Sequence, residues 1–442
     1  MRQRPVKGPV PLAERLRRLE PRLKTIQAIT GIPGFSIGVI HQGVEVWKFN
    51  SGYCDVENKI PPRSDTVFNL NSLTKSITSA AFACLVHDGK VNWDTPIKAI
   101  LPDFAQGCDA IDQEINAIDL LSMRSGHQSL NCLPWQGNNI VLPDRRDTIN
   151  SGTRHLALGI SAISSATTIG VLPRAPIWAI GTKAHQDAGR DSVGEQFPFV
   201  RDAGRQIPVL VPGPTIGAGI FTEGGSGVLS TIDDMLALYK TYLDAINDQF
   251  RSGTKSTPGN PFVECATLVA AHNRLPAKSI LREQSYGCGW IRCQLPGPLG
   301  MIGMNNDFVE MPHVLEGGPS HLCLYHMGMM VGSTSNIALL PETDTVVALL
   351  ANAAPLGDGT DWMSQMIIEE IFEPPTRHNF GEYAEKVASK ILNHIPSLGK
   401  ELEERRIPDT VPSSPIESYA GGFVHDKTPF KIDIRFDEEK GA

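Results

Sequence analysis

Hydrophobic and polar residues alternate at a strand-like period near the start of the chain and again in its last third. Residues 35–40 and 44–49 form two β-rich runs around a short turn at 41–43, and this pattern predicts a hairpin. Further β-rich runs occupy residues 321–330, 336–340 and 346–350. Strands at both ends of the chain predict one sheet that is closed by N-terminal and C-terminal strands.

Helical periodicity fills other parts of the chain. Apolar residues recur at helical spacing between about 72 and 88, and Gly89 after them suits a helix C-cap. Other helix-like runs lie at residues 12–29, 235–245, 263–272, 362–372 and 383–406. Between about 90 and 300 there is little strand signal, which predicts a helical insertion between the two halves of the sheet.

These elements predict an α/β (α+β) fold, in which helices flank an antiparallel sheet built from N-terminal and C-terminal strands. The predicted parts are a split sheet domain (1–90 and 300–375), a helical insertion domain (91–299, with an atypical stretch at 150–205), a helical extension (376–407) and a truncated β-rich tail (408–442). The tail holds two strands at most, which are too few to be stable alone.

The composition fits a soluble globular protein and argues against a nucleic-acid partner. The 442 residues are 41% hydrophobic and 20% charged, and 40 Lys and Arg against 48 Asp and Glu give a net charge of −8. Binding to nucleic acid depends on excess positive charge that meets the phosphates. The apolar stretch at 156–172 is shorter than the ~20 residues of a membrane span and contains several Ser and Thr, so no membrane contact is expected.

The N-terminus and the cysteines predict a cytoplasmic protein with reduced thiols. The first residues contain no apolar signal region, and the eight cysteines form no C-x-x-C pair. The motifs that hold catalytic zinc, nucleotide phosphates or dinucleotides do not occur either. We therefore expect no metal and no cofactor, and the sequence leaves the oligomeric state open.

One helix start carries residues suited to nucleophilic catalysis. Serine is a weak nucleophile unless a base removes its proton, and a lysine three residues later lies on the same helix face. Ser72 and Lys75 have this spacing at the start of the 72–88 helix, where free N–H groups can hold an oxyanion. The same spacing recurs in Ser252 with Lys255 and in Ser397 with Lys400. A lone pair of this kind is equally a capping serine beside a solvated lysine, so the surroundings must decide.

The surroundings favour Ser72 over the other two serines. In chain order, the motifs around it are Gly52-Tyr53-Cys54-Asp55, Phe68-Asn69-Leu70-Asn71-Ser72-Leu73-Thr74-Lys75, Asp88-Gly89-Lys90-Val91, Trp93-Asp94-Thr95-Pro96-Ile97, Leu120-Leu121-Ser122-Met123-Arg124-Ser125-Gly126, Gly224-Gly225-Ser226-Gly227, Tyr286-Gly287-Cys288-Gly289-Trp290 and His326-Met327-Gly328. With these motifs most of residues 30–375 resembles the serine beta-lactamase-related family, in its class C beta-lactamase, penicillin-binding protein and esterase-transesterase branch.

The resemblance implies a beta-lactamase/transpeptidase-like fold and a role for each site residue. Ser72 would accept the acyl group, and Lys75 would act as the general base or proton relay. The backbone N–H groups of Ser72 and Met329 would form the oxyanion hole, and Gly328 belongs to the strand motif beside them. His326, as the histidine version of that motif, would line the pocket and hydrogen-bond the substrate.

The implied activity is that of a serine hydrolase or acyltransferase that acts on a small-molecule ester, thioester or amide. A place in secondary metabolism follows by analogy with related transesterases. The branch also carries a Tyr-x-Asn motif in the helical insertion, whose tyrosine assists proton transfer.

That Tyr-x-Asn motif is absent from its place. The seven tyrosines stand at positions 53, 239, 242, 286, 325, 383 and 419, so none lies between 54 and 238. Helical periodicity is also poor in the stretch at 150–205, which is rich in Gly, Ser, Thr and Ala. Either this chain has diverged and lost the tyrosine, or the stretch reflects a shifted reading frame or a retained intron. The alternative function is therefore a catalytically impaired pseudoenzyme that binds or scaffolds a partner.

Overall fold

The computed structural model describes residues 10–102, 104, 113–125, 135–136, 140–141, 199–202, 205–208, 223–275, 284–330, 332–353, 356–405, 414–424 and 431–435. Its helices are α1 (Leu12–Thr30), α2 (Thr74–His87), α3 (Ile97–Ile100), α4 (Ala117–Leu121), α5 (Glu223–Ser226), α6 (Ile232–Ser252), α7 (Cys265–Leu268), α8 (Asn305–Phe308), α9 (Gly359–Phe372) and α10 (Phe380–Arg405). Its strands are β1 (Gly34–His41), β2 (Val44–Gly52), β3 (Phe68–Asn69), β4 (Trp135–Gln136), β5 (Ile140–Val141), β6 (Phe199–Asp202), β7 (Arg205–Pro208), β8 (Leu229–Ser230), β9 (Asn273–Arg274), β10 (Gln284–Tyr286), β11 (Ile291–Leu295), β12 (Gly297–Pro298), β13 (His313–Val314), β14 (His321–Met330), β15 (Ser333–Leu340), β16 (Thr345–Ala351), β17 (Gly421–Val424) and β18 (Lys431–Ile434).

Eight strands form one antiparallel sheet in the order β2-β1-β16-β15-β14-β11-β10-β9. The N-terminal hairpin joins the C-terminal strands where β1 pairs with β16, in a register that sets Phe35 opposite Ala351. Short strand pairs outside the sheet include β3 with β8, which brings the segment before α2 against residues 229–230. The mixed α/β fold with an antiparallel sheet closed by both ends of the chain is therefore confirmed.

Alternation along the central strands gives the sheet two apolar faces. On one face Leu324, Ile337 and Leu350 are buried in a cluster that also holds residues of α2 and α6. On the other face the neighbouring positions, such as Tyr325 and Leu349, are buried with residues of α1, α9 and α10. Residues two apart on a strand point to the same side, so one sheet supports both layers of helices. The chemistry-bearing turn before α2 lies on the first face.

Three sheet strands, β9, β10 and β11, lie between residues 273 and 295, inside the segment predicted as a helical insertion. These strands have two, three and five residues, and runs this short carry little alternation. The division of the chain into domains stays a prediction.

The structure agrees with the sequence analysis on the main helices and the terminal strands. The α6 helix is longer than expected, since it extends from Ile232 to Ser252, whereas α7 covers only Cys265–Leu268. In the tail, for which two strands at most were predicted, β17 pairs with β18 in antiparallel orientation. Most of the atypical stretch at 150–205 lies outside the described residues.

Two further findings concern the described part of the chain alone. None of the six cysteines there forms a disulfide bond. None of its helices is both long enough and apolar enough to cross a membrane.

Candidate active site

Ser72 lies in a single 3-10 turn, Asn71–Leu73, that leads directly into α2. The residue before it, Asn71, has a φ of 50°, a left-handed conformation that asparagine tolerates better than most residues. The Asn71 side chain donates to the backbone oxygen of Ser333 at 3.3 Å and accepts from the Ser333 hydroxyl at 3.1 Å. These contacts with β15 hold the strained turn against the sheet and fix the position of Ser72.

Lys75 reaches back one turn and meets Ser72. Its Nζ lies 2.7 Å from Ser72 Oγ and donates to the backbone oxygen of Gly225 at 3.1 Å. Burial disfavours the charged amine and lowers the pKa of Lys75 from 10.5 to about 8. A neutral amine still has N–H groups for Gly225, and its lone pair can take the hydroxyl proton of Ser72.

Residues 224–228 are joined by two further hydrogen bonds to α2 and by one to the segment before it. Thr78 Oγ1 donates to the backbone oxygen of Gly224 at 2.7 Å, and Thr74 Oγ1 accepts from the Val228 N–H at 3.2 Å. The Val228 oxygen accepts from the N–H of Leu70 at 2.9 Å. The carbonyl of Gly225 is therefore held over Lys75 by bonds on both sides of it.

Strand β14 passes so close to the Ser72 turn that only glycine fits at position 328. A Cβ added to Gly328 would lie 2.4 Å from Ser335 Oγ and 2.5 Å from the backbone oxygen of Leu70. Ser335 Oγ itself donates to that oxygen at 2.8 Å. The next residue, Met329, is 37% exposed at the end of the strand. The strand pairing of β11 with β14 extends only to Tyr325, so residues 326–330 lie beyond it.

The imidazole of His326 is buried, with both nitrogens engaged inside the protein. Nδ1 lies 2.6 Å from the backbone oxygen of Met327, which can only accept, so Nδ1 carries the proton. Burial and the charge of Lys75 lower the pKa of His326 to about 3, so the ring is neutral. Nε2 is then an acceptor, and the hydroxyl of Tyr286 donates to it at 2.7 Å. A substrate hydrogen bond to His326 would require one of these two bonds to break.

The segment that follows Tyr286 touches the start of α2 directly. Gly289 has a φ of +74°, and a Cβ there would lie 2.7 Å from the backbone carbon and oxygen of Lys75. The N–H of Gly289 donates to the backbone oxygen of Leu121 at 3.3 Å. Residues 286–289 therefore contact both His326 and the backbone of Lys75, whose side chain faces Ser72.

The structure brings Ser72 and Lys75 into contact. In the other two serine–lysine pairs of the same spacing, the serine and the lysine have other partners. Ser252 Oγ donates to the backbone oxygen of Asp248 and Lys255 pairs with Glu264. Ser397 Oγ donates to the backbone oxygen of Asn393, and Lys400 pairs with Glu404. His326, Gly328 and Met329 follow one another on β14, at the strand segment that packs against the Ser72 turn.

Two contacts at the site were not assigned by sequence reasoning, the Gly225 carbonyl on Lys75 and the Tyr286 hydroxyl on His326. Both residues belong to motifs identified in the sequence, but a sequence motif does not show which of its atoms contacts the site. Within the described ranges no cluster of three or more His, Cys, Asp or Glu side chains could hold a metal ion.

Part of the chain, including Ser72 and Lys75, is similar to known sequences. A family model described as Beta-lactamase matches residues 19–175. The chain is 39% identical over 84 residues to the serine beta-lactamase-like protein LACTB, mitochondrial, of Homo sapiens, which is 19% of this chain and 15% of that protein. It is 35% identical over 101 residues to an unguisins hydrolase of Aspergillus campestris, which is 22% of this chain and 18% of that one. The matches thus span less than a fifth of the length of either relative.

Comparison with solved structures gives the same fold over most of the chain. An octameric penicillin-binding protein homologue from Pyrococcus abyssi superposes with a TM-score of 0.59 and 18% identity, covering 81% of this chain and 78% of that chain. A class C beta lactamase from Rhodobacter sphaeroides gives a TM-score of 0.53 at 19% identity, covering 87% and 99%. At these identities the likeness concerns the fold.

Proposed function

We propose that this chain is a serine hydrolase or acyltransferase of the serine beta-lactamase-related family, and that it forms an acyl-enzyme on Ser72. The observation that carries the proposal is the 2.7 Å contact between Lys75 Nζ and Ser72 Oγ, made by an amine whose burial lowers its pKa to about 8. At that pKa roughly a tenth of the amine is neutral at pH 7, far more than for a lysine in water.

Acylation would proceed by proton transfer from Ser72 to Lys75. The serine oxygen bonds to the carbonyl carbon of an ester, thioester or amide, and the carbonyl oxygen becomes an oxyanion that the N–H groups of Ser72 and Met329 would hold. The protonated Lys75 then gives its proton to the leaving group as the bond to that group breaks. In the second half, water or an acceptor alcohol bonds to the acyl carbon and loses a proton to Lys75. Lys75 returns that proton to the Ser72 oxygen as the bond between this oxygen and the acyl carbon breaks.

This scheme uses Lys75 as the only proton carrier, which fits the tyrosine positions. No tyrosine stands between 54 and 238 in the sequence, so proton transfer at Ser72 has to work without the usual tyrosine. The same absence is what favours the alternative, a pseudoenzyme that keeps the pocket for binding or scaffolding. The preformed Ser72–Lys75 contact favours the enzyme.

The substrate proposed is a small-molecule ester, thioester or amide, with secondary metabolism as its setting. The similarity to a protein named as an unguisins hydrolase supports this setting. The cytoplasmic location inferred from the N-terminal sequence stays a prediction, as does the absence of nucleic-acid and membrane partners.

A fluorophosphonate probe and a p-nitrophenyl ester test the proposal. We expect one probe molecule per chain by intact mass, attached at Ser72, and ester turnover that Ser72→Ala abolishes. Ser252→Ala is the matched control, because Ser252 has the same spacing to a lysine but no contact with it, and it should react like the wild type. Labelling that persists in Ser72→Ala would put the nucleophile elsewhere and overturn the role of Ser72, and a wild type that never acylates would support the pseudoenzyme instead.

A further inference from the structure

The pair formed by Tyr286 and His326 is a buried polar arrangement that the acylation scheme does not use. Both residues are almost fully buried, at 2% and 3% exposure, and their rings meet edge to face with centroids 5.7 Å apart. A buried hydroxyl directed at a buried imidazole is costly to assemble unless both groups are satisfied. The contacts on either side of the pair show what it connects.

Hydrogen bonds run in one direction through the pair. The Tyr286 hydroxyl donates to Nε2 of His326, and Nδ1–H of His326 donates to the Met327 carbonyl. That carbonyl belongs to the peptide group that precedes Gly328, the residue packed against Leu70 and Asn71 beside the nucleophile. The chain of bonds therefore ends on the strand edge that borders Ser72.

The charge environment makes the protonation state of His326 matter to Lys75. Among the described residues, Lys75 from α2 acts on the imidazole through its charge, and Tyr286 from β10 is its titratable hydrogen-bond partner. A protonated imidazole would repel the lysine ammonium, and its Nε2–H would have to donate to the Tyr286 oxygen. A donor fixed at Nε2 favours the neutral ring, because it occupies the lone pair that a proton would need.

We propose that Tyr286 is a positioning residue for the reaction at Ser72, whose hydroxyl bonds Nε2 of the neutral His326 ring and, through that ring, holds the Met327 carbonyl and the β14 edge beside the nucleophile. The proposal rests on the proposed function for its effect on turnover. Its effect on the His326 ring stands independently of turnover.

The test is a double-mutant cycle of Tyr286→Phe, His326→Asn and the double variant, assayed with the p-nitrophenyl ester. We expect Tyr286→Phe to lower kcat about tenfold with little change in KM, because it alters the position of the strand edge and not substrate contacts. In the His326→Asn background the same change should have almost no further effect, since Tyr286 acts through the imidazole. Equal losses in both backgrounds would overturn the proposal.

The matched control is Tyr242→Phe. Tyr242 is as buried as Tyr286, and its hydroxyl accepts from the indole of Trp290 at 3.2 Å, away from His326. Loss of that hydroxyl also leaves one buried partner unsatisfied, so its effect on thermal unfolding should match that of Tyr286→Phe. A kcat loss in Tyr242→Phe as large as that in Tyr286→Phe would show a merely structural effect and overturn the proposal.

A second readout does not require activity. Hydrogen–deuterium exchange at the imidazole C2 of His326, followed by mass spectrometry across pH, reports the pKa of the ring. We expect the pKa to rise in Tyr286→Phe, because Nε2 loses the donor that occupies its lone pair, and still to lie below the ordinary value, because burial and the charge of Lys75 remain. In Tyr242→Phe it should not change. An unchanged pKa in Tyr286→Phe would overturn the proposal. Absence of turnover in every protein would count against the proposed function alone, and the His326 titration would still decide the role of Tyr286.

Site-specific 3,5-difluorotyrosine at position 286 provides a variant that keeps the ring and the hydroxyl. The hydroxyl can still donate to Nε2 of His326, so kcat should stay near that of the wild type. A tenfold loss of kcat in this variant would contradict the proposal even if Tyr286→Phe does not fold.

Discussion

Lys75 has two hydrogen-bond partners, Ser72 Oγ and the carbonyl of Gly225. Burial opposes its charge and is the cause of the lowered pKa. A base can accept the Ser72 proton only while it is neutral. In the proposed mechanism, the pH at which catalysis begins is therefore set by this one amine.

We expect kcat/KM for the ester to rise with pH through a midpoint of about 8, the pKa of Lys75, and to stay high above it. Lys75→Met should lower kcat/KM by several orders of magnitude at all pH values, because it removes the base. Lys255→Met, the exposed counterpart, should keep the wild-type profile. A midpoint near 6 would point to another base and contradict this role for Lys75.

Gly328 is a position at which a single methyl group should be costly. In Gly328→Ala the new Cβ would be closer than 3 Å to Leu70 and Ser335, and one of those contacts is backbone that cannot move aside cheaply. We expect at least a hundredfold loss of kcat/KM, because the β14 edge must shift away from Ser72.

The matched control is Gly399→Ala in α10, where a Cβ meets nothing within 4 Å. Alanine is the better helix former, so this variant should stay active and gain roughly 0.5–1 kcal/mol in the free energy of unfolding. Full activity of Gly328→Ala in the same assay would contradict the close approach described for β14.

At the scale of elements, α9 begins on a buried acidic pair. Asp358 Oδ1 caps the helix by accepting from the Asp361 N–H at 3.0 Å, and Asp361 accepts from Asn305 Nδ2 at 3.0 Å and from Gln365 Nε2 at 2.9 Å. Burial raises the pKa of Asp361 to about 7, helped by the charge of Asp358, and raises the pKa of Asp358 to about 6. The start of this helix is therefore sensitive to pH.

An aspartate with a raised pKa binds a proton in the folded state more readily than in the unfolded state. Its contribution to stability is complete below the unfolded pKa of about 3.8 and is lost as the pH rises through about 7. We expect Asp361→Asn, which cannot ionise, to gain stability relative to the wild type as the pH rises from 4 to 8. The Oε1 of Gln365 has no partner, so a flipped amide can accept from the new asparagine.

Thermal unfolding across pH measures this difference, with Asp307→Asn as control. Asp307 is an exposed aspartate in the nearby α8, and its substitution should leave the pH dependence of unfolding unchanged. A difference between Asp361→Asn and the wild type that stays constant from pH 4 to 8 would mean that Asp361 is ionised throughout.

The secondary-structure elements also show how much of the fold and of the site could be predicted from the sequence. Strand β14 was predicted with its final bounds, since ten residues of β character stand between turn signals. Ser72 and Lys75 could be identified because their partnership is local, three residues apart on one turn. The contacts of Tyr286 with His326 and of Gly225 with Lys75 span 40 and 150 positions, and no local pattern encodes a contact between distant segments.

For the whole molecule, α1 connects the two ends of the fold. Leu16 and Leu23 are fully buried in the cluster shared with α9 and α10, and Arg15 donates to the Glu370 carbonyl at 2.6 Å and pairs with Glu373 at 2.6 Å. The helix lies on the sheet face opposite the Ser72 turn. Its contribution is therefore to stability and not to the chemistry.

Leu23→Ala should lower the free energy of unfolding by about 2–5 kcal/mol, because it leaves a cavity between three helices. Denaturant unfolding measures this loss, and the kcat of the folded fraction should stay near that of the wild type. Leu402→Ala, whose side chain is 69% exposed on α10, should cost far less. Equal costs for the two variants would show that α1 does not pack as described.

The pairing of β1 with β16 has a consequence for the timing of biosynthesis. The Gly34 N–H donates to Asn352 Oδ1 across 318 positions, and the partners of the Ser72 turn on β14 and β15 are likewise made late. Ser72 therefore emerges from the ribosome long before the strands that hold it in place have been synthesised. The nascent chain should not react at Ser72 until most of it has emerged. Contacts between such distant positions also favour slow folding, with a period of dependence on chaperones.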